Sequence, residues 1–239
     1  MQAEAARPAL SIIIPVLNEA HSIGATVEAL KEMRARIEVI VVDGGSRDGT
    51  LDILRAARVR VIESAGGRGF QMHAGACAAR GEALWFLHAD TRPPVDAIQR
   101  IAEALRDREV VGGNFRVRFD GGTAAARFLT WLYPRLRKLG LCYGDSGIFV
   151  RREVYQRTGG FKPFPIFEDL DLVRQLRRAG RMAQAQATVV TSSRRFEGRS
   201  FALTFARWST LQALYWLGVD PRRLGRMYAP IRETTKAER

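Results

Sequence analysis

The chain has little of several features that would place it in a special class of protein. It contains only two cysteines, Cys77 and Cys142, which are too few and too unpatterned for a disulfide framework or a zinc site. No apolar run approaches the roughly 18 residues that a membrane-spanning helix needs, and the start of the chain lacks the apolar core of a secretion signal. These absences predict a cytoplasmic protein in which both cysteines are packing residues.

The sequence also lacks internal repeats, low-complexity tracts and linker-like breaks. A chain of 239 residues with 46% hydrophobic content is long enough for one domain with a full core. We therefore predict a single domain over residues 1–239, with a flexible polar tail over residues 229–239.

Acidic residues are scarce in the second half of the chain. Residues 1–120 carry 16 Lys and Arg against 16 Asp and Glu, whereas residues 121–239 carry 22 against 9, so the net charge of +13 belongs to the second half. A basic half attracts phosphate groups, acidic lipid surfaces or nucleic acid. A solvated, arginine-rich surface is the simpler alternative.

Apolar runs and helical patterns alternate along the first half. The runs Leu10–Val16, Ile37–Val42 and Ala83–Leu87 are typical of buried parallel strands, and helical spacing occurs between them. Residues 110–119 alternate between apolar and polar side chains, with Asn114 on the polar side, which predicts a half-exposed strand. Together these patterns predict an α/β fold with a mostly parallel central sheet flanked by helices.

Polar and acidic residues follow the three apolar runs. Asn18 and Glu19 come after the first run, Asp43 after the second and Asp90 after the third. In open α/β sheets, ligands bind in the crevice beyond the carboxyl ends of the strands. We therefore expect these three acidic sites to converge on one edge of the sheet, and a fourth, Glu168–Asp169, lies at the start of an amphipathic helix.

Four segments resemble, in order, the motifs of family 2 inverting glycosyltransferases with a GT-A fold. They are IIPVLNE at residues 13–19, VVDGGSRDGT at 41–50, FLHADT at 86–91 and FED at 167–169. The resemblance extends from Leu10 to Tyr228. Within that family, the chain is similar to a small bacterial branch labelled as associated with radical-SAM and selenium-related genes. It implies transfer of a sugar from a nucleoside diphosphate sugar, in the first place a UDP-sugar, to a hydroxyl acceptor. Residues 10–120 would then bind the donor, and residues 121–228 would form the acceptor side.

Several residues of the first half are predicted to bind the donor. By the resemblance, Asp43 accepts a hydrogen bond from the nucleobase, and Asn18 and Glu19 hold the ribose. Arg68 lies among glycines and is predicted to reach the diphosphate. The structural alternatives are a turn for Asp43, helix capping for Asn18 and Glu19, and a surface loop for Arg68. The remaining predicted donor-binding residues are Pro15, Ser46, Asp90 and Arg195.

Asp90 is also predicted to hold a divalent cation. Such an ion neutralises the negative charge that develops on a leaving diphosphate. The general GT-A pattern is Asp-x-Asp, and here His88 occupies the first position, where an imidazole suits Mn²⁺ better than Mg²⁺. We predict Mn²⁺ or Mg²⁺ held by Asp90 and His88. The alternative is a buried histidine at a strand end, beside a capping aspartate and without a metal.

Three carboxylates are candidates for the catalytic base. By the family pattern, Asp169 deprotonates the acceptor hydroxyl, which implies inversion because no covalent intermediate forms. Glu168 and Asp145 are the next candidates. Carboxylates at a helix start also suit the helix dipole, and an aspartate beside glycine is common in turns.

Two stretches combine aromatic and basic residues at helical spacing, residues 127–139 and 199–215. Such faces lie in a membrane interface, or they belong to ordinary helices that close a core. Pro134 is predicted to interrupt the first stretch as a regular helix. The partner predicted from these stretches is an acidic or lipid-linked acceptor with peripheral contact at the inner membrane face, a soluble acceptor being the alternative. Nucleic acid is not an expected partner.

Two other function classes stay open at this point. A sugar nucleotidyltransferase shares a related architecture but begins with a glycine-rich phosphate loop, which residues 15–19 do not provide. A non-catalytic basic module for membranes or nucleic acid would explain the charge of the second half. It gives no reason for acidic residues in order at successive strand ends.

Overall fold

The computed structural model describes residues 8–33, 36–64, 66–193 and 200–227. Arg195 and the predicted tail over residues 229–239 lie outside these ranges. Within them the strands are β1 (Leu10–Val16), β2 (Ile37–Asp43), β3 (Arg60–Glu63), β4 (Ala83–Phe86), β5 (Thr91–Arg92), β6 (Val110–Phe119), β7 (Phe149–Arg151) and β8 (Arg181–Thr191). The α-helices are α1 (Ile23–Lys31), α2 (Thr50–Ala56), α3 (Arg68–Ala78), α4 (Ala97–Ala104), α5 (Ala124–Lys138), α6 (Arg152–Thr158), α7 (Glu168–Ala179), α8 (Phe201–Trp216) and α9 (Pro221–Met227).

In the described ranges, the strands form one eight-stranded sheet in the order β3-β2-β1-β4-β7-β6-β8-β5. Strands β1 to β4 are parallel to one another, with β1 between β2 and β4. Strand β7 is antiparallel to both β4 and β6, and β6 is parallel to β8. The carboxyl ends of β1, β2 and β4 therefore meet at one edge of the sheet, as the sequence predicted.

Both faces of the sheet are covered, which explains the continuous apolar runs. Along β1, Ile12 and Ile14 pack with α1 and α2, whereas the side chain between them, Ile13, packs with Met72 of α3 and Leu172 of α7. Because alternate side chains of a strand point to opposite faces, a strand that is buried on two faces needs apolar side chains on both of them. The predicted α/β class, with helices on both sides of a mostly parallel sheet, is confirmed.

Helix α3 lies unusually close to the sheet. A Cβ atom at Gly75 would come within 2.4 Å of Ile13 Cγ2 and 2.9 Å of Val42 Cγ2. A Cβ at Gly69 would come within 2.7 Å of the Lys162 carbonyl oxygen. The two glycines allow α3 to pack against β1, β2 and the segment before α7, and this packing positions the first turn of α3 beside the edge described below.

Three local predictions were wrong. Cys142 is buried as predicted, but Cys77 is exposed and is not a packing residue. Helix α5 continues through Pro134 to Lys138 instead of breaking, because its other side chains, including Tyr133 and Leu136, pack against an aromatic cluster and outweigh one missing N–H donor. Asn114 is buried, although the alternation placed it on the exposed side of β6. Its side-chain oxygen accepts a hydrogen bond from Arg137 Nε at 3.0 Å. No helix in the described ranges is long and apolar enough to cross a membrane.

Candidate active site

The loops after β1 and β2 hold each other through side chains. Asn18 has a left-handed backbone, with φ 55°, and its side-chain oxygen accepts a hydrogen bond from the Arg47 N–H at 2.8 Å. Its own N–H donates to Ser46 Oγ at 2.9 Å. The Asp43 carboxylate accepts from the N–H groups of Gly45 and Ser46, so it shapes this turn. Asn18, Asp43 and Ser46, all predicted to bind the donor, therefore belong to one connected unit.

Pro15 and Glu19, the two other residues of β1 and its loop that were predicted to bind the sugar donor, have structural positions. Pro15 is buried in β1, opposite Val42 of β2. The Glu19 carbonyl accepts from the N–H groups of Ser22 and Ile23 at the start of α1, and its side chain accepts from Ser22 Oγ. The cap residue of α1 is Ser22, without a side-chain capping hydrogen bond, so Glu19 supports the turn before the helix and does not cap it with its side chain.

Gln71 of α3 was not recognised in the sequence, yet it joins the two loops. Its buried Nε2 donates to the carbonyls of Val16 and Val42, at 2.7 and 2.8 Å. These carbonyls lie at the carboxyl ends of β1 and β2. A Cβ at Gly44 would lie 3.0 Å from the same Nε2, so the loop after β2 passes directly over this amide. A glutamine inside a helical pattern carries no sequence signal for such a role.

Arg68 begins the same helix and forms an ion pair with the start of α7. Its Nε lies 2.5 Å from Glu168 Oε1. Glu168 is 1% exposed, and its second oxygen has no hydrogen-bond partner among the described residues. The arginine side chain keeps about a third of its surface exposed, at 35%. Arg68 therefore compensates a buried carboxylate while part of its side chain stays exposed.

Asp169 is buried next to this pair. Its two carboxylate oxygens accept hydrogen bonds from the N–H groups of Gly144, at 2.7 Å, and Leu170, also at 2.7 Å. Burial, followed by the charge of Glu168, raises the pKa of Asp169 from 3.8 to about 6, against the opposing effects of Arg68 and the two N–H groups. A carboxylate with a pKa near neutral is the kind of group that accepts a proton during catalysis.

His88 and Asp145 are joined although 57 positions separate them in the sequence. His88 Nδ1 lies 3.1 Å from Asp145 Oδ1, and Tyr133 Oη donates to Asp145 Oδ2 at 3.0 Å. His88 Nε2 is buried without a hydrogen-bond partner among the described residues. An acceptor at Nδ1 favours the tautomer with the proton on Nδ1, which leaves the lone pair at Nε2.

Gly144 brings the histidine and the base candidate together. A Cβ atom at Gly144 would lie 2.7 Å from His88 Nε2 and 3.5 Å from Asp169 Oδ2. Both atoms are thus within 3.5 Å of one point, and a side chain at this position would occupy the space between them. The structure brings together four predicted residues here, namely His88, Asp145, Glu168 and Asp169, and adds Arg68 through its ion pair.

The residues predicted to hold a metal ion, His88 and Asp90, follow β4 in the chain. Asp90 lies partly exposed in the turn after β4, and Thr26 Oγ1 holds the carbonyl of the preceding residue, Ala89, at 2.7 Å. The described part of the chain has no cluster of three or more His, Cys, Asp or Glu side chains that could hold a metal ion. Mn²⁺ or Mg²⁺ bound by one or two protein groups takes its other ligands from phosphate and water. The lone pair at His88 Nε2 fits one such group.

The sequence was also compared with known proteins. Residues 11–157 match the model of the family described as Glycosyl transferase family 2. The chain is 29% identical to glycosyltransferase AglE of Haloferax volcanii over 174 residues, which cover 66% of this chain and 56% of that protein. It is 31% identical over 167 residues to an undecaprenyl-phosphate 4-deoxy-4-formamido-L-arabinose transferase of Pseudomonas fluorescens, covering 62% and 47%. The chain thus spans about half the length of these curated relatives.

Solved structures share the fold. The mannosyltransferase PcManGT of Pyrobaculum calidifontis, in complex with GDP-Man and Mn²⁺, superposes with a TM-score of 0.64 at 22% identity, covering 88% of this chain and 63% of that one. Glucosyl-3-phosphoglycerate synthase of Mycobacterium tuberculosis, with Mg²⁺ and UDP, gives 0.57 at 21% identity, covering 79% and 70%. The first 349 residues of S. aureus TarS, with UDP-GlcNAc, give 0.63 at 17% identity, covering 81% and 60%. The predicted GT-A fold is confirmed.

Proposed function

Because the chain belongs to glycosyl transferase family 2 and is an enzyme, we propose that it transfers a sugar from a nucleoside diphosphate sugar to a hydroxyl group, with inversion at the anomeric carbon. One observation supports this proposal above the others. Asp169 is a buried carboxylate with its pKa raised to about 6, and the Gly144 N–H holds it at the sheet edge where β1, β2 and β4 end. A base at this edge faces the crevice in which α/β folds bind ligands.

We assign donor binding to residues 10–120. The loops after β1 and β2, joined through Asn18, Asp43 and Ser46, form the nucleoside side of the crevice. Asp43 uses part of its acceptor capacity on the turn, and a carboxylate with about four lone-pair sites retains capacity for a nucleobase N–H. Solved structures that share the fold contain GDP-Man, UDP or UDP-GlcNAc. A UDP-sugar is the donor that the sequence motifs favour.

Arg68 and Asp90 are the residues we assign to the diphosphate. The partly exposed Arg68 side chain carries N–H donors beyond the Nε that pairs with Glu168, and such donors suit phosphate oxygens. Asp90, together with His88 Nε2, would hold Mn²⁺ or Mg²⁺, and such an ion supplies neutralising charge for the departing diphosphate. Arg195, assigned to the same group from the sequence, lies outside the described residues.

In the proposed reaction, the acceptor hydroxyl oxygen forms a bond to the anomeric carbon on the face opposite the diphosphate. The bond from that carbon to the diphosphate oxygen breaks, and its electron pair leaves with the nucleoside diphosphate. The hydroxyl proton passes to Asp169, whose raised pKa suits proton transfer near neutral pH. Because no enzyme group bonds to the sugar, the configuration inverts.

Asp145 and Glu168, the other candidates for the base, take positioning roles in this proposal. Asp145 contacts Nδ1 of His88, which keeps the lone pair of the imidazole at Nε2, and Tyr133 in turn orients Asp145. Glu168 raises the pKa of Asp169 and fixes Arg68. The oxygens of Asp145 contact His88 and Tyr133, and Glu168 pairs with Arg68, whereas the two oxygens of Asp169 are held by backbone N–H groups.

Calorimetry tests the donor half of the proposal. The wild type is titrated with UDP and with GDP, each with Mn²⁺, with Mg²⁺ and without a divalent ion. We expect metal-dependent binding that Asp90→Ala abolishes, with a folded protein by circular dichroism. Asp52→Ala is the matched control, because Asp52 is an exposed aspartate of α2 whose salt bridge to Arg55 is a surface pair worth little. Unchanged nucleotide affinity in folded Asp90→Ala would remove Asp90 from the site.

The two alternatives weighed from the sequence receive no support from the structure. The chain has no glycine-rich phosphate loop after β1, where a sugar nucleotidyltransferase would have one. A non-catalytic basic module leaves the buried, oriented Asp169 unexplained. A protein that binds neither UDP nor GDP with any metal, yet is folded, would reopen both alternatives.

A further inference from the structure

Helices α5 and α8 form one outer surface of the molecule that is both apolar and basic. On α5 the exposed side chains include Phe128 and Trp131, followed one and two turns later by Arg135 and Leu139. Trp131 is 52% exposed, and the Arg135 guanidinium carbon lies 3.7 Å from the centre of its ring. An aromatic ring beside an arginine on an exposed helix face is typical of helices in a membrane interface.

Helix α8 is apolar on its outer as well as its inner face. Leu203 is 73% exposed, and Leu217, just beyond the end of the helix, is 80% exposed. The exposed positions between them at spacings of three or four residues are Ala206, Arg207, Thr210 and Ala213. Soluble helices normally turn a polar face to water, so a face with a single charge indicates a non-aqueous neighbour.

The two helices are in contact. Phe128 of α5 packs edge-on against Phe201 and Phe205 of α8, with ring centres 5.8 and 5.6 Å apart. We call the exposed residues of α5 and α8 the outer face. It is defined by Phe128, Trp131, Arg135, Lys138, Leu139, Leu203, Arg207, Trp216 and Leu217.

Charge selects the partner for this face. Neither α5 nor α8 contains an aspartate or glutamate, whereas α5 carries Arg127, Arg135, Arg137 and Lys138, and α8 carries Arg207. A surface without carboxylates, with cations among aromatic and aliphatic side chains, complements anionic lipid headgroups above an apolar layer. A protein partner would need an equally apolar and acidic face of its own.

The inner sides of the same helices support the candidate site. Tyr133 of α5 donates to Asp145. Trp208 and Tyr215 of α8 pack against Tyr143 and Phe167, with ring centres 5.1 and 4.9 Å apart. Tyr143 and Phe167 directly precede Gly144 and Glu168 in the chain. One layer of side chains therefore separates the outer face from the site.

From these observations we propose that the outer face docks on an anionic lipid bilayer, so that the hydroxyl acceptor reaches Asp169 from the membrane surface. The part concerning the acceptor rests on the proposed function, and it identifies the acceptor as lipid-linked. The docking itself depends only on the outer face. Both expectations considered for the two aromatic stretches apply, because their inner sides close the core and their outer sides face the bilayer.

Co-sedimentation with vesicles tests the docking without donor, metal or acceptor. The full chain is mixed with vesicles of phosphatidylcholine alone or with phosphatidylglycerol added. We expect binding to the anionic vesicles that exceeds binding to the neutral ones and weakens with salt. Arg135→Glu with Lys138→Glu should reduce the partition coefficient by roughly 30-fold or more, since each basic residue near such a surface contributes about five-fold. Arg137 is unsuitable for this test because it donates to buried Asn114.

A matched control separates the outer face from net charge. Lys31→Glu with Arg55→Glu makes the same charge change on exposed positions of α1 and α2. The lower net charge of this control should reduce its binding to anionic vesicles by no more than about two- to three-fold relative to the wild type. Trp131→Ser with Leu203→Ser should lower binding by roughly ten-fold without changing net charge. Circular dichroism and thermal melting confirm that each variant is folded.

Three results would overturn the docking proposal. One is equal recovery of the wild type in the supernatant with both kinds of vesicle. Another is an equal loss of binding in the control and the outer-face variants. The third is a stable dimer in solution that Trp131→Ser with Leu203→Ser converts to a monomer, because the outer face would then be an interface between copies of the chain. Nucleotide binding measured by calorimetry stays intact in all three cases, so failure of docking and failure of the proposed function are distinguishable.

Discussion

Replacing Glu168 by glutamine should lower the pH at which Asp169 ionises. The pKa of Asp169 is raised from 3.8 to about 6, first by burial and second by the charge of Glu168, with Arg68 acting in the opposite direction. That difference corresponds to about 3 kcal/mol against the ionised form. Glu168→Gln should bring the pKa down, because the charge of Glu168 is lost while Arg68 and the two N–H groups continue to lower it. Arg68→Gln should move it the other way, since a compensating positive charge is lost.

These shifts have a definite sign in the activity profile. Only the ionised form of Asp169 accepts a proton, so kcat/KM should fall as the pH drops through the pKa of the free enzyme, near 6 in the wild type. The acid limb of the profile of kcat/KM against pH should lie at lower pH in Glu168→Gln than in the wild type. This variant should therefore keep a larger fraction of its maximal kcat/KM at acid pH. The acid limb of Arg68→Gln should lie at higher pH, separately from any loss of donor affinity.

The assay is the release of nucleoside diphosphate measured between about pH 4.5 and 8, with kcat/KM fitted to a single ionisation on the acid side. Glu28→Gln is the matched control, since Glu28 is an exposed glutamate of α1 paired with Lys31, and its acid limb should coincide with that of the wild type. Acid limbs that stay in place in both Glu168→Gln and Arg68→Gln would refute the reasoning. An unchanged acid limb in Asp169→Asn would refute it as well.

Two further variants examine the site. Asp169→Asn keeps the size and hydrogen-bonding capacity of the side chain but removes the basic lone pair. The rate of sugar transfer should therefore fall by roughly 100-fold or more, while donor affinity measured by calorimetry stays within a few-fold. Turnover that survives would make another residue the base. Asp145→Asn removes the charge that holds the Nδ1 proton of His88, so Mn²⁺ affinity in the presence of UDP should fall by roughly 10- to 100-fold. Equal Mn²⁺ affinity in the wild type and in Asp145→Asn would show that His88 is not a ligand of the metal.

The sequence predicted the parallel half of the fold well because its signals are local. The strands β1, β2 and β4 are mostly apolar runs, and their observed ends differ from the predicted ends by at most one residue. The helix that begins at Glu168 was predicted from its amphipathic pattern, and it begins there in the structure. In each of these segments, the local residue pattern is enough to predict the conformation.

Contacts across long stretches of sequence could not be predicted in the same way. Nothing near His88 indicates that its Nδ1 meets Asp145, and nothing near Gln71 indicates that it bonds to the ends of two strands. Pro134 misled for a related reason, because local preference predicts a break whereas packing of α5 against distant aromatic residues keeps the helix intact. The candidate residues were found by motif, but their partners are set by tertiary structure.

The tight seating of α3 limits how this enzyme can be redesigned. Gly69 and Gly75 leave no room for side chains, and Gln71 is bonded to both strand ends, so α3 can neither shift along the sheet nor tilt away from it. A protein engineer who wants a different sugar donor therefore has to keep α3 as a fixed reference. The adjustable parts are the exposed positions of the loops after β1 and β2, where a new side chain changes the shape of the crevice without moving the helix beneath it.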